Sequence, residues 1–380
     1  MSIDKCRVCG NKFLSESLQY ANMPKAAQYL PDASSIKDDT GVDLKLYQCV
    51  GCGLIQLDSD PVPYYREVIR AAAISKEMSN FRSKQFANFV QKFSLRGKKI
   101  IEIGCGRGEY LSIMQQSGAD VYGLEFSPAS VDICTKNNLN VSKGFIDNAS
   151  VKLSHAPFDA FFMLSFLEHL PDPNSVLSGI NANLVDGAIG LVEVPNFDVF
   201  IKNNVFYEFI PDHLFYFTKE TLATLLSLNG FEVLNCTDAW HNFLISATVR
   251  KRKGLGTLEF HKHQKQLKTE IDQYLSRFKN KRVAVWGAGH VAFAILVLME
   301  LSDKILCVID SAPFKQGKYT PATHIQIVPP NAVDIRQVDA IIVMAGSYSD
   351  EVVKIIHKMF GTKVAVAILR GSKLEVVCYD

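Results

Sequence analysis

Residues 100–110 read Ile100-Ile101-Glu102-Ile103-Gly104-Cys105-Gly106-Arg107-Gly108-Glu109-Tyr110. A short apolar run that stops at a glycine predicts a buried strand, Lys99–Gly104, and the chain beyond it predicts a helix over Glu109–Ser117. Glycines between a strand and a helix let the backbone come close to a ligand. The spacing is not that of a dinucleotide loop. The glycines run Gly-x-Gly-x-Gly, and an acid, Glu102, stands two residues before the first. A second acid, Glu125, ends the next predicted strand, Asp120–Glu125, where a carboxylate can hold two ribose hydroxyls.

Outward from this loop, strands and helices alternate. Ser127–Lys136 predicts a helix with Ser127 as cap and Pro128 in its first turn. Phe158–Leu164 and Ala188–Pro195 predict strands, with a helix at Pro173–Leu184 between them. A helix at Lys219–Leu228 leads to two strands, Phe231–Asp238 and Phe243–Lys251, joined too tightly for a crossover and therefore antiparallel. Upstream, residues 64–95 predict a helix, with Val68, Ile69, Ala72, Met78, Phe81, Phe86 and Phe89 at three- and four-residue steps. This is an α/β chain with a mostly parallel sheet covered on both faces.

Arg250–Lys281 interrupts the alternation with Lys, His and Gln beside Leu258, Phe260, Leu267, Ile271 and Leu275, predicting an amphipathic connecting helix on which His261 and His263 are solvated. A second alternation follows: Val283–Trp286, a helix through Leu301, Ile305–Asp310, Ala340–Met344, a helix from Ser349, and Val364–Leu369. Its loop, Gly287-Ala-Gly289-His-Val-Ala292, precedes Asp310 by a distance that suits a nicotinamide nucleotide. Ala292 replaces the third glycine, so the reading favours a nucleotide portion of the substrate, or no ligand, over a nicotinamide cofactor.

The chain has 380 residues, which predicts two or three domains, and 41 Lys plus Arg against 39 Asp plus Glu. That balance argues against a nucleic-acid partner. The longest apolar stretch, Val291–Met299, is short of the roughly 20 residues of a membrane span. The first residues, MSIDKCRVCG, lack the apolar core of a signal peptide, so the expectation is a cytoplasmic protein.

Of nine cysteines, four form two Cys-x-x-Cys-Gly knuckles, Cys6–Cys9 and Cys49–Cys52, separated by 39 residues. Four thiolates suit tetrahedral zinc and close its shell, which predicts a structural ion. Two disulfides fit poorly with a chain lacking an export signal. Cys105, Cys134, Cys236, Cys307 and Cys378 read as small buried residues.

Two clusters carry candidate chemistry. Ser165-Phe-Leu-Glu168-His169 follows the strand Phe158–Leu164, so His169 stands at a strand end that faces the ligand. Tyr207-Glu-Phe-Ile-Pro-Asp212-His213-Leu-Phe-Tyr216 sets Asp212 to orient or activate His213. His241, at a tight strand turn, is a weaker candidate for the same mouth.

The glycine loop, Glu102, Glu125 and the antiparallel last pair resemble the seven-stranded, class I methyltransferases, whose ligand is the sulfonium S-adenosylmethionine. That resemblance implies a cofactor set of Glu102, Gly104, Gly106, Gly108, Glu125, Phe126 and Ser165. Over nearly its whole length the chain is similar to the three-part sugar C-methyltransferases that act on nucleotide-linked keto-deoxysugars. The strings are Cys6-Arg-Val-Cys9-Gly, Met23-Pro-Lys-Ala26, Tyr47-Gln-Cys-Val-Gly-Cys-Gly-Leu-Ile-Gln-Leu57, Glu168-His169, Asp310-Ser-Ala-Pro-Phe-Lys-Gln-Gly-Lys-Tyr-Thr-Pro321 and Ile325-Gln-Ile327.

The resemblance implies a zinc module at 1–62, a methyltransferase domain at 63–252, and a Rossmann-like, substrate-binding domain at 253–380. It implies methyl transfer to a carbon next to a keto group, with His213 as base and His169 as partner. The implied acceptor is a nucleotide sugar, and the implied assembly is a monomer or homodimer. The family's Tyr-x-Glu-His is Ile210-Pro211-Asp212-His213 here, so its tyrosine is lost and its glutamate shortened. Tyr207 and Tyr216 are candidates to substitute. Pro63-Tyr64-Tyr65 keeps the paired tyrosines and makes Tyr65 a further candidate, but the serine-rich continuation has become Arg66-Glu67. Those departures keep open a second reading, methyl transfer to oxygen or nitrogen of a small metabolite.

Overall fold

The computed structural model describes residues 3–28, 30–67, 74–278 and 282–377, which fall into two units, Met1–Gly254 and Leu255–Asp380. The first unit opens with three strands, β1 (Leu14–Met23), β2 (Val42–Cys49) and β3 (Ile55–Leu57). The sequence shows this region only as knuckles and turns. In β1 no side chain is fully buried, so it carries no apolar alternation to read.

The first helix, α1 (Lys76–Lys92), begins where the Ser75 hydroxyl accepts from the Met78 N–H at 3.1 Å. It is shorter than the 64–95 expected. Residues 63–66 are turns, and Val68, Ile69 and Ala72 lie outside the described residues.

Then come β4 (Lys99–Ile103), α2 (Glu109–Gln116), β5 (Asp120–Glu125), α3 (Pro128–Lys136), β6 (Val141–Lys143), β7 (Phe158–Leu164), α4 (Pro173–Ala182) and β8 (Leu184–Pro195). They continue as α5 (Phe197–Lys202), β9 (Phe215–Tyr216), α6 (Lys219–Leu228), β10 (Phe231–Ala239) and β11 (Leu244–Lys251). Seven of these strands form one sheet in the order β10-β11-β8-β7-β4-β5-β6. The inner strands are parallel, while β11 runs antiparallel to both β8 and β10. This is the α/β class and final antiparallel pair that the sequence predicts.

Both faces of the sheet are buried, so its strands read as apolar runs rather than alternations. On β7, Phe161 and Met163 enter one core with Ile101, Leu124 and Leu177, while Phe162 and Leu164 enter the other with Phe86, Ile100 and Leu111. Cys6, Val8, Cys49 and Leu54 belong to the first of these cores. The N-terminal sheet is completed by β9, whose Tyr216 and Phe215 pair with Ile55 and Gln56 of β3.

The second unit contains α7 (Leu258–Leu275), β12 (Val283–Trp286), α8 (His290–Leu298), β13 (Ile305–Ile309), β14 (Ile327–Val328), β15 (Ala340–Val343), α9 (Ser349–Phe360), β16 (Ala365–Arg370) and β17 (Lys373–Val377). Its six-stranded sheet runs β14-β13-β12-β15-β16-β17, parallel except for β17. This is the second Rossmann-like alternation, with two short edge strands that the sequence does not show. Among the described residues no helix is long and apolar enough to cross a membrane.

Candidate active site

The two knuckles converge. Cys6 Sγ lies 3.7 Å from Cys52 Sγ and Cys9 Sγ lies 3.5 Å from Cys49 Sγ, with all four sulfurs within 4.8 Å of one another. Four sulfurs at 2.3 Å from a tetrahedral zinc would stand about 3.8 Å apart, so the donor set and its spacing fit that ion. The Gly10 and Gly53 N–H groups donate to the Cys6 and Cys49 carbonyls, closing each knuckle.

The glycine loop leaves β4 with Gly104, Gly106 and Gly108 all at positive φ, a region that glycine enters at low cost. A Cβ on Gly104 would stand 2.9 Å from the Phe166 ring, and one on Gly108 would stand 2.5 Å from Leu139. The Glu125 carboxylate secures the loop. Its Oε2 accepts from Gly106 N–H and its Oε1 from Ser127 N–H, both at 2.8 Å. Burial raises this carboxyl's pKa, and those two donors oppose the shift. Glu102 is buried at the end of β4. Phe126 and Phe145, their ring centroids 6.3 Å apart, face Gly104 and Phe166 across a narrow cleft. Ser165 holds φ +50° and donates its N–H to the Glu193 carbonyl at 2.8 Å.

Past Ser165 a single helical turn, Leu167–His169, presents His169 to the segment around His213. His169 Nδ1 lies 2.7 Å from the Asp212 carbonyl oxygen. A carbonyl only accepts, so Nδ1 carries the proton and the neutral ring keeps its lone pair on Nε2. Leu214 N–H donates to the Glu168 carbonyl at 2.8 Å, a second tie between the two segments. The imidazoles meet edge to face, with centroids 4.8 Å apart. Burial, and then the charge His169 would carry, push the His213 imidazole down to about 3. Glu168 Oε1 lies 3.8 Å from His169 Nε2. Glu168 Oε2 is buried with no hydrogen-bond partner among the described residues. Burial raises the Glu168 carboxyl's pKa, partly offset by His169.

Asp212 is placed differently from the sequence expectation. Its Oδ1 accepts from Tyr64 OH at 2.8 Å and its Oδ2 from Ala27 N–H at 3.1 Å. It orients His169 through its main chain, and no described hydrogen bond joins its carboxylate to His213. Tyr207 is 67% exposed and packs on Phe206, with no described contact to either histidine. The Tyr216 hydroxyl is engaged by the main chain of Ile210, accepting from its N–H at 3.0 Å and donating to its carbonyl at 3.2 Å. Tyr65 lies on the cleft side, its ring 6.1 Å from Phe145 and its hydroxyl accepting from Arg66 Nε at 3.0 Å. His241 is turned to the surface, with Nε2 2.9 Å from Glu77 Oε1.

Two residues the sequence reading passed over stand at the site. Tyr64 reaches Asp212 and lines a cavity of about 620 Å³ with Lys25, Leu30, Val62 and Glu67. Its one sequence signal is its place in the Tyr64-Tyr65 pair. Arg82 of α1 is buried in an ion pair with Glu193 of β8, whose other carboxylate oxygen accepts from Gln85. In the second unit, Asp310 accepts from the N–H groups of Ala288 and Ala312, both at 2.8 Å, and from Lys315 Nζ at 3.0 Å. Asp310 thus ties the loop after β12 to the turn after β13, as Glu125 ties the glycine loop to the start of α3.

A class I sheet, a glycine loop secured by the acid of the next strand, and an imidazole pair beyond the fourth parallel strand define an S-adenosylmethionine-dependent methyltransferase. Two family models match the chain in tandem: a methyltransferase domain over residues 78–235 and a C-methyltransferase C-terminal domain over residues 251–368. The chain thus carries a methyltransferase domain followed by a C-methyltransferase C-terminal domain. It is 23% identical to C-methyltransferase NovU of Streptomyces niveus, over 92% of this chain and 91% of that protein. The ubiquinone biosynthesis O-methyltransferase of Stutzerimonas stutzeri is 37% identical, but over 23% of this chain and 40% of its own length. A methyltransferase structure from Aquifex aeolicus aligns at 15% identity over 47% of this chain and 94% of that one, with a TM-score of 0.38, too low to bear on the assignment.

Proposed function

We propose that this C-methyltransferase alkylates the carbon next to a keto group of a nucleotide-linked deoxysugar, with His213 as the base and His169 as its partner. The observation carrying this reading is the imidazole pair, 4.8 Å apart and joined to Glu168 and Asp212, three residues beyond a phenylalanine that lines the glycine-loop cleft. The match to a C-methyltransferase along nearly the whole chain favours carbon over the oxygen or nitrogen alternative. The O-methyltransferase relative matches only within the methyltransferase domain.

S-adenosylmethionine supplies an electrophilic methyl group when bound. The residues must make the acceptor carbon nucleophilic, and an enolate does that. Burial disfavours the protonated His213, which keeps its ring free to accept a proton but weakens it as a base. The C–H proton transfer therefore needs help from charge forming beside it. The enolate charge formed beside it then stabilises the imidazolium that burial alone disfavours. His169 keeps a fixed tautomer through Asp212, and the Tyr64 hydroxyl, donated to the Asp212 carboxylate, holds that residue in place beside the acceptor side. The cavity that Tyr64 lines is the proposed acceptor pocket, with Lys25 suited to an anionic group of the nucleotide. The four-cysteine cluster would hold a structural zinc with no open position for water. The test is mass-spectrometric location of the methyl after incubation with a thymidine diphosphate keto-deoxysugar. A methyl found on oxygen or nitrogen would remove the enolate step and the base with it.

A further inference from the structure

Arg66 stands inside the glycine-loop cleft, beside Gly104 and Phe126 of the cofactor set that the methyltransferase resemblance implies. Its guanidinium carbon lies 4.9 Å from the centre of the Phe145 ring, 5.5 Å from that of Phe126 and 5.4 Å from that of Tyr65. Its Nε donates to the Tyr65 hydroxyl at 3.0 Å. With Ile103, Gly104, Leu124, Gly144, Ile146 and Phe166 forming the rest of the wall, the cleft retains a cavity of about 10 Å³. Sites for small ligands measure roughly 300–1,000 Å³. Ile103 and Leu124 come from sheet strands and Gly104 and Gly144 offer only backbone, so this part of the wall yields least. Arg66 is the long, flexible group in it.

If Glu125 takes the ribose, the purine extends to the next residue, Phe126, and to Phe145 opposite. Those are the rings that hold the guanidinium, and a flat cation on an aromatic face occupies the surface a purine would stack on. We infer that Arg66 is an internal competitor of the cofactor: its guanidinium takes the ring faces that the adenine would use and must leave them for S-adenosylmethionine to enter. The inference rests on the reading of the glycine-loop cleft as the cofactor site. The same strap carries Tyr64, whose hydroxyl is bonded to Asp212, so the exchange takes place on the chain that also touches the acceptor side.

Calorimetric titration of the full zinc-loaded chain with S-adenosylhomocysteine tests this. Arg66→Ala is expected to bind about tenfold more tightly than wild type, the affinity equivalent of one desolvated cation–aromatic interaction removed from the empty state. Arg66→Lys, which keeps a cation but loses the flat fork, is expected to fall between the two. Dilute guanidinium chloride, compared with equal sodium chloride, is expected to weaken binding to Arg66→Ala and leave wild type unchanged. Equal affinity in wild type and Arg66→Ala overturns the competitor role alone. Weaker binding in Arg66→Ala overturns it by making Arg66 a cofactor contact. Absence of binding in both chains overturns the cofactor cleft itself and the competitor with it.

Discussion

His169 donates its Nδ1 proton to the main-chain carbonyl of Asp212 at 2.7 Å, across 43 residues of chain. The contact fixes the His169 tautomer, and because it uses the main chain it leaves the Asp212 carboxylate for Tyr64 and Ala27. One residue thereby joins the loop after β7, the strap before α1 and the N-terminal segment.

His213→Ala should lower turnover by about a hundredfold to ten-thousandfold, the usual contribution of a general base, while S-adenosylhomocysteine affinity stays near wild type. His169→Ala should lower it less. Steady-state kinetics beside calorimetry separates the two effects. Full turnover in His213→Ala would end its role as base.

The same imidazole makes stability depend on pH. His213 is pushed down to about 3 in the folded chain, against an unfolded value near 6.5. Below pH 6.5 the unfolded chain binds a proton that the folded chain refuses until about pH 3. Stability is therefore complete above pH 6.5 and is lost progressively as pH falls through that window. A His213→Phe variant, compared by urea unfolding at pH 7 and pH 5, should lose less stability on acidification than wild type.

Tyr64→Phe removes the hydroxyl bonded to Asp212 and keeps the ring. We expect kcat/KM for the acceptor to fall about tenfold, the scale of one hydrogen bond to a charged group, with cofactor affinity unchanged. Tyr207→Phe, at the surface, should be close to silent in the same assay.

Zinc removal should reach the histidines. The knuckle that holds Cys49 and Cys52 leads straight into β3, which pairs with β9 two residues after His213, and the Leu57 N–H donates to the Leu214 carbonyl at 2.9 Å. Cys49→Ser should therefore lose metal, measured by mass spectrometry of the eluted ion, and lose acceptor turnover before cofactor binding. Retained activity in metal-free protein would sever this link.

Arg82→Met leaves Glu193 buried without its cation, which should cost about 3–5 kcal/mol of stability. The double variant Arg82→Met with Glu193→Leu should recover most of that loss in urea titrations.

Much of the fold is legible before folding is considered. β4, β5, β7 and β12 lie in apolar runs bounded by glycine or an acid, and a buried parallel strand needs nothing more. The Cys-x-x-Cys knuckles, Glu125 at a strand end and the positive-φ glycines are likewise local features. Each depends on neighbours within a few residues, so the sequence alone determined the class of fold, the paired cysteine knuckles and the position of the glycine loop.

What lies across the chain was decided only by tertiary structure. β1, with no buried side chain, becomes a strand because β2 supplies its hydrogen bonds. Asp212 turns its carboxylate away from its neighbour in sequence because Tyr64, 148 residues earlier, offers a hydroxyl at 2.8 Å. Arg66 reads as a solvated charge until Phe126 and Phe145 are brought around it. A hydrogen bond or a ring face is satisfied by whichever partner packing brings within reach, and sequence spacing carries no record of that choice.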